Sequence, residues 1–144
     1  MKHYELEQIA AYLRQFKKIH AIERVDDTVI RIEFDRHVPL YFDMRRGDSH
    51  IFTCKAYARA KIYQAPFDVL LRKYFMRAAL LHVEAVPGNR ILRIEASASS
   101  QYKTQTFTLQ LEFTGRNTNA IIVDANETVQ EALRHIDELS LIHI

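Results

Sequence analysis

Short segments in which apolar and polar residues alternate constrain the fold of this chain more than any other feature. In residues 106–113, Phe107, Leu109, Leu111 and Phe113 alternate with polar side chains. This two-residue period predicts a strand with one buried face. The unbroken apolar run at 120–123 predicts a strand that is covered on both sides. Shorter strands bounded by turn-forming residues are predicted at 19–25, 28–34, 38–44, 50–54, 80–86 and 90–96.

Three helices are predicted, one before these strands, one between them and one after them. The first runs from about Tyr4 to Lys17, where apolar residues recur at steps of three and four. The second begins at Pro66 and carries an apolar stripe opposite a basic outer face, which leaves its core side free of charge. That stripe consists of Phe67, Leu70, Leu71, Tyr74, Phe75 and Ala78, and the basic face of Arg72, Lys73 and Arg77. The third is capped by Asp124 or Asn126 and ends at about Ile136.

The order of these elements predicts an α+β domain. Two mainly antiparallel sheets would pack as a sandwich or flattened barrel, flanked by helices. A length of 144 residues fits one such domain. We expect one domain over residues 1–138, followed by a tail at 139–144 that does not belong to it.

Composition limits the classes of protein that this chain can belong to. No apolar run approaches the ~20 residues that cross a bilayer, and the first residues lack a hydrophobic signal core, so we expect a cytoplasmic protein with no membrane contact. Seven scattered histidines and the single Cys54 have no metal-ligand spacing. We expect these side chains to be structural, and we expect no metal and no cofactor.

The net charge of +2 is small, but it is distributed unevenly. Residues 55–77 contain six basic residues and a single acid, Asp68, whereas acids predominate in 124–138. One side of the molecule is therefore expected to face phosphates.

Three segments carry a resemblance to a known family. Residues 65–75 (APFDVLLRKYF) are similar to its Pro-x-Phe-x-x-x-Leu-Arg-Lys helix, and 88–92 (GNRIL) resemble its Asp-Arg turn. Residues 111–124 (LEFTGRNTNAIIVD) resemble its Gly-Arg-His-Ser-Asn segment and the strand after it. The family is the NFACT N-terminal domain of RqcH- and NEMF-type ribosome quality control proteins, which includes bacterial chains called fibronectin-binding protein A.

The resemblance implies a fold similar to the N-terminal domain of formamidopyrimidine-type DNA glycosylases. It implies that the full-length protein binds large ribosomal subunits that hold a stalled peptidyl-tRNA, recruits alanyl-tRNA and promotes C-terminal alanine tailing. It also implies that helix-hairpin-helix, coiled-coil and C-terminal RNA-binding parts are absent from these residues.

The resemblance and the charges together identify candidate RNA-binding residues. In the family the Asp-Arg turn is associated with tRNA handling; here Arg90 matches, and Asn89 replaces the aspartate without its negative charge. The candidates are Asn89, Arg90, Arg116, Arg72, Lys73 and Arg77. The alternatives are that Asn89 accommodates a left-handed turn, that the arginines and lysine are solvated, and that the loop at 115–119 is architectural apart from Arg116. Tyr57 and Tyr63 either stack on unpaired bases or pack in the interior.

Two other functions compete with RNA binding. A DNA glycosylase/lyase would use an N-terminal proline amine, but Lys2 stands at that position, and Glu5 or Glu7 is common in a first helical turn. We therefore expect no catalytic centre. Adhesion through fibronectin is expected only as a secondary property, because the sequence shows no export signal.

Overall fold

The computed structural model describes residues 1–99 and 103–136. This part of the chain contains two α-helices and nine strands, and the strands form two sheets. The helices are α1 (His3–Leu13) and α2 (Pro66–Phe75). The first sheet contains β1 (Ile19–Asp26), β2 (Val29–Phe34), β3 (Leu40–Asp43) and β4 (His50–Phe52). The second contains β5 (Ala79–Ala85), β6 (Ile91–Ser99), β7 (Thr104–Glu112), β8 (Asn119–Asp124) and β9 (Val129–Ala132). The predicted domain end at 138 and the tail at 139–144 lie outside the described residues.

The predicted α+β architecture with two antiparallel sheets is confirmed. In each sheet, every strand pairs antiparallel with the next strand in the chain. The sheets meet at one corner, where Lys18 forms an isolated bridge with Ala79 and the Leu80 amide donates to the Lys17 carbonyl at 2.8 Å. The described strands therefore form a sandwich-like arrangement and do not close into a barrel.

Both helices pack on the second sheet and complete one hydrophobic core. Helix α1 contacts β5 and β6, whereas α2 contacts β1 of the first sheet as well as β6 to β9 of the second. From α2, Phe67, Leu71 and Phe75 are at most 3 % exposed. Full burial of each such side chain stabilises the fold by about 1.5–3 kcal/mol. Neither described helix has the length and apolar character that crossing a bilayer requires.

The strand predictions hold, with one correction in β7. The four alternating apolar residues at 107–113 are buried, and the run at 120–123 is buried on both sides, as predicted. However, Thr108 and Gln110, on the opposite face of β7, are each only 4 % exposed. The side chains of Arg93 and Glu112 lie beside Gln110 on this face: Gln110 accepts a hydrogen bond from Arg93 and donates one to Glu112, so its polar atoms are satisfied although it is buried.

The predicted third helix is wrong. Residues 124–128 form a tight turn between β8 and β9, and Val129 pairs with Val123. The Asp124 carboxylate accepts from the amides of Asn126 and Thr128, at 2.8 and 3.0 Å. Aspartate stabilises turns by the same side-chain-to-backbone hydrogen bonding that caps helices, so the sequence pattern did not separate the two structures.

The first two helices exist, but each is shorter than predicted. Helix α1 ends at Leu13 rather than Lys17, because the amides of Lys17 and Lys18 donate to the Asp35 carboxylate and lead the chain into β1. Helix α2 ends at Phe75, and Arg77 lies beyond it with a φ of +61°. Arg77 therefore does not share the helix face of Arg72 and Lys73.

The core side of α2 also carries a charge that the apolar stripe did not predict. Asp68 is 2 % exposed and accepts two hydrogen bonds from Arg24 of β1, at 2.9 Å from Nε and 2.5 Å from Nη2. The same carboxylate accepts from the Ala65 amide at 3.2 Å and thereby caps the helix. The only acid of residues 55–77 is thus neutralised in the interior.

Candidate nucleic-acid interface

The turn that carries Asn89 and Arg90 joins β5 to β6 at one end of the second sheet. Gly88 has a φ of +75°, and the Asn89 amide donates to the Val86 carbonyl at 3.2 Å. The left-handed residue of this turn is therefore glycine, and the alternative that assigned this conformation to Asn89 is wrong. The Asn89 carbonyl lies 2.8 Å from Nδ1 of His3, which attaches the turn to the start of α1.

Arg90 is held through its backbone while its side chain faces solvent. Its carbonyl accepts a hydrogen bond from the Phe113 amide at 2.8 Å, which links the turn to the end of β7. Its guanidinium group is exposed and has no hydrogen-bond or ion-pair partner within the described part of the chain. A planar cation on a fixed backbone can bind a phosphate through two parallel hydrogen bonds.

The loop between β7 and β8 lies at the same end of the sheet. Gly115, with a φ of +68°, begins a short 3-10 turn (Gly115–Asn117), which exposes Arg116. Thr118 closes the turn by donating from Oγ1 to the Gly115 carbonyl at 2.6 Å. The loop is thus organised by its own hydrogen bonds, and the guanidinium group of Arg116 has no described partner.

The two asparagines of this loop have different roles. Asn119 is 7 % exposed, and its Oδ1 accepts from the amides of Ala120 and Arg134, both at 2.9 Å. Its Nδ2 donates to the Arg134 carbonyl at 3.0 Å, so the side chain fastens the end of β9 to β8, as the architectural alternative expected. By contrast, Asn117 is exposed, and its side chain makes no hydrogen bond to the described residues.

A cleft of about 320 Å³ lies between this loop, the start of β6 and the end of β9. Two arginines that the sequence did not single out, Arg46 and Arg134, line it together with Glu112 and Asn117. Arg134 donates from Nη1 to the Thr118 carbonyl at 2.6 Å. We call Arg46, Arg90, Arg116 and Arg134 the sheet-end cluster.

Burial affects the ionisable groups of this cleft. It lowers the pKa of Arg134, and repulsion from Arg46 lowers it further, while Asp43 raises it. Burial also raises the pKa of Glu112, an effect that the hydrogen bond from Gln110 opposes. Arg46 and Arg134 both line the cleft, so an anion bound between them would offset their mutual repulsion.

The remaining predicted cations lie elsewhere on the molecule. Arg72 donates from Nη1 to the Tyr63 carbonyl at 3.3 Å, and Nζ of Lys73 lies 5.2 Å from the ring centroid of Tyr74. Arg72 and Lys73 are exposed on α2, and we call them the helix cluster; Arg77 is exposed just beyond the end of the helix. Because Asp68 is buried, no acid of residues 55–77 reaches this surface.

The structure does not bring the two clusters together. Arg77 precedes the start of β5 and Arg90 follows its end. A strand rises ~3.3 Å per residue, so the six steps from Ala79 to Ala85 separate these ends by about 20 Å. The six predicted RNA-binding residues are therefore divided between two surfaces.

Tyr63 is buried, as the structural alternative expected, whereas Tyr57 is only half-buried. Tyr57 stacks on Tyr41 with ring centroids 5.3 Å apart, and its hydroxyl donates to Asp26 at 3.0 Å. Tyr63 is 8 % exposed and donates to Asp27 at 2.7 Å. Burial, followed by the hydrogen bond to Asp27, raises the pKa of Tyr63 to about 12.

The carboxylates near the N-terminus are occupied by local contacts. Glu5 accepts from the Lys2 amide at 3.2 Å and caps α1, and Glu7 lies 2.6 Å from Nε2 of His3. These are the contacts expected of acids in a first helical turn.

Solved structures show the same fold. The N-terminal domain of fibronectin-binding protein PavA from Streptococcus pneumoniae is 22% identical to this chain, with a TM-score of 0.80, and the match covers 94% of this chain and 54% of that one. The N-terminal part of the fibronectin/fibrinogen-binding protein FBPS from Streptococcus suis gives a TM-score of 0.83 at 22% identity over the same shares. The fibrinogen-binding protein from Staphylococcus aureus gives 0.76 at 19% identity and covers 96% of this chain and 53% of that one.

This chain spans about half the length of the solved structures that it matches. A comparison with curated protein sequences gave no match. The family model described as NFACT N-terminal and middle domains, however, matches residues 5–140. Since the match extends over nearly the whole sequence, the chain belongs to the NFACT N-terminal domain family.

Proposed function

We propose that this chain is the RNA-binding N-terminal module of a cytoplasmic ribosome quality control factor. In this proposal it binds tRNA, with alanyl-tRNA as the ligand that the family resemblance implies, and the obstructed large ribosomal subunit, and it supports alanine tailing of stalled nascent chains. The observation that carries the proposal is the sheet-end cluster: Arg90 and Arg116 are exposed in neighbouring loops at one end of the second sheet, and Arg46 and Arg134 line the cleft beside the second of these loops. Guanidinium groups that extend from a fixed backbone are suited to the phosphates of folded RNA.

The cluster favours a role in binding rather than in catalysis. Arg90 and Arg116 are free to contact a ligand, whereas Asn119, Thr118 and the backbone around Arg90 keep the loops in place. Such rigidity lowers the ordering cost of binding. In our proposal tRNA binds the sheet-end cluster, and the helix cluster supplies a separate contact to ribosomal RNA.

A salt titration of tRNA binding tests the proposal. We expect Arg90→Ala in the full-length protein to weaken tRNA binding and to reduce the slope of log K against log salt by about 1, because one phosphate contact is lost. Arg36→Ala is the matched control, since Arg36 is an exposed arginine in the turn between β2 and β3. If tRNA binding and tailing were the same in the Arg90 variant and the wild type, the assignment of Arg90 would be wrong.

The helix cluster is tested separately. We expect Arg72→Gln and Lys73→Gln together to weaken binding to the large subunit while leaving Arg90-dependent tRNA binding in place, because the two clusters lie apart. Equal loss of tRNA binding and of large-subunit binding in this variant would contradict the assignment of these two ligands to separate clusters.

Adhesion is the second candidate, because the solved relatives are named for binding fibronectin or fibrinogen. In our proposal any fibronectin binding is secondary. Surface proteolysis of intact cells distinguishes the two functions: loss of the native protein would favour adhesion, and full protection favours a cytoplasmic role.

DNA glycosylase/lyase activity is the third candidate, and we propose that the chain lacks it. Glu5 and Glu7 already have hydrogen-bond partners, and Lys2 stands where the nucleophilic proline would be. Borohydride trapping on abasic DNA is expected to give no adduct; a covalent adduct would establish the enzyme instead.

A further inference from the structure

A second cleft lies on the outer face of the first sheet. Strand register places Glu23, Arg31, Tyr41 and Phe52 side by side across β1 to β4. Their neighbours in sequence, such as Ile22 and Ile30, belong to the core. Since side chains alternate along a strand, this row points away from the core.

Residues 53–65, which we call the strap, cross this outer face. The Ala60 amide donates to the Val25 carbonyl at 3.0 Å, and Tyr57 is held by its ring contact with Tyr41 and its hydrogen bond to Asp26. Arg59 reaches Glu23 at 2.5 Å. The strap is thus fixed at several points and leaves a cleft of about 550 Å³ between itself and the sheet.

The walls of this strap cleft combine cations with aromatic rings. Arg31, Lys55 and Arg59 line it together with Tyr41 and Tyr57, and Glu23 is the only acid among the lining residues. Lys55 is exposed and has no ion-pair partner in the described chain. The ion pair of Arg59 with Glu23 leaves the side chains 46% and 33% exposed, so it is weak and can exchange for another anion.

We propose that the strap cleft binds a nucleotide, with the base against Tyr57 and the phosphate between Lys55 and Arg59. Clefts of roughly 300–1,000 Å³ are typical of small-molecule sites. Aromatic side chains stack on any base, and the Tyr57 hydroxyl bond to Asp26 fixes the ring in advance. The nucleotide can be free or can be an unpaired nucleotide of an RNA strand.

This site is distinct from the proposed tRNA contact. The strap cleft and the cleft of the sheet-end cluster share no lining residue. The strap cleft also assigns a role to Lys55 and Arg59, which do not belong to the helix cluster. The two proposals can therefore fail independently.

Binding of a fluorescent AMP derivative to the 144-residue chain, with unlabelled AMP and hexauridylate as competitors, tests the inference. We expect Lys55→Gln and Arg59→Gln each to weaken binding by about tenfold, because each removes a charge-assisted hydrogen bond. The matched control Arg36→Gln removes the same charge from an exposed turn of the same sheet and is expected to change affinity less than twofold. Displacement of the probe by AMP at a lower concentration than by hexauridylate indicates a free nucleotide site, and the reverse order indicates an RNA site.

Several results would overturn the inference. One is the absence of binding by either nucleotide probe at millimolar concentration. Another is equal weakening by Arg36→Gln, which would indicate unspecific attraction, and a third is preferential competition by an acidic peptide. Tyr57→Phe keeps the ring but loses the hydroxyl bond to Asp26, so it is expected to bind less tightly than the wild type, and Tyr57→Leu, which removes the ring, is expected to bind more weakly still. Arg90→Ala is expected to leave AMP binding unchanged, which separates this site from tRNA binding.

Discussion

Replacement of Asp68 by asparagine is expected to destabilise the domain strongly. In the wild type, the Asp68 carboxylate forms two hydrogen bonds with Arg24, and the two side chains are 2% and 13% exposed. Asparagine preserves the volume but leaves the guanidinium group of Arg24 buried without a counter-charge. Breaking one partner of a buried ion pair costs about 3–5 kcal/mol.

The expected loss is large relative to the stability of the whole domain. Domains are typically stable by only about 5–15 kcal/mol, so Asp68→Asn should remove roughly a fifth or more of the free energy of unfolding. For a chain of this length the melting temperature should fall by roughly 10 to 20 °C. Urea unfolding followed by circular dichroism measures the free energy, and the slope against urea concentration should not change.

Two further variants make this prediction specific. Glu7→Gln removes the acid from an exposed pair with His3, in which Glu7 is 61% exposed, and it should cost less than about 0.5 kcal/mol. The double variant Arg24→Met, Asp68→Leu should recover most of the loss, because no charge is left unpaired. If Asp68→Asn cost less than about 1 kcal/mol, Arg24 would not depend on this carboxylate, and the reasoning would be refuted.

Three other variants test separate parts of the structure. The raised pKa of Tyr63, about 12, means that the native state keeps a proton that the unfolded state releases near pH 10. The free energy of unfolding should therefore fall between pH 10 and 12, and Tyr63→Phe should show a smaller fall in urea titrations; an identical fall would contradict the assignment. Gly88→Ala should lower stability by about 1 kcal/mol in the same assay, since φ is +75° and no neighbour lies within 4 Å of an added Cβ; no loss would mean that the turn adopts another conformation. Glu112→Gln should raise stability at pH 7 and change it little at low pH, because burial disfavours the charged carboxylate; a loss of stability at pH 7 would indicate an ionic partner.

The sequence predicted the parts of the fold that depend on regular periods. The alternating residues at 107–113 and the hairpin around Asp26 and Asp27 formed as expected, because a period of two residues distinguishes strand faces directly. The turn at Asp124 was mistaken for a helix start because aspartate makes similar local hydrogen bonds in both. The burial of Asp68 could not be anticipated, since its partner Arg24 is 44 residues away.

The candidate site was predicted only in part. Arg90 and Arg116 were found from their turns and from the family resemblance, and the structure places both at one end of the second sheet. Arg46 follows β3 of the first sheet and Arg134 follows β9 of the second, so only the packing of the two sheets brings them to the same cleft, and the wrong third helix had removed Arg134 from that edge. The distance between the helix cluster and Arg90 is likewise a property of the sheet, not of the local sequence.

We propose that this module binds folded RNA through cationic side chains that extend from a fixed backbone. The most direct test is sedimentation of the full-length protein with purified large subunits that hold a peptidyl-tRNA, at low and at physiological salt. We expect co-sedimentation at low salt that declines steeply as salt rises and is reduced when Arg90 and Arg116 are both replaced by alanine. Full-length protein that stayed in the supernatant even at low ionic strength would contradict it.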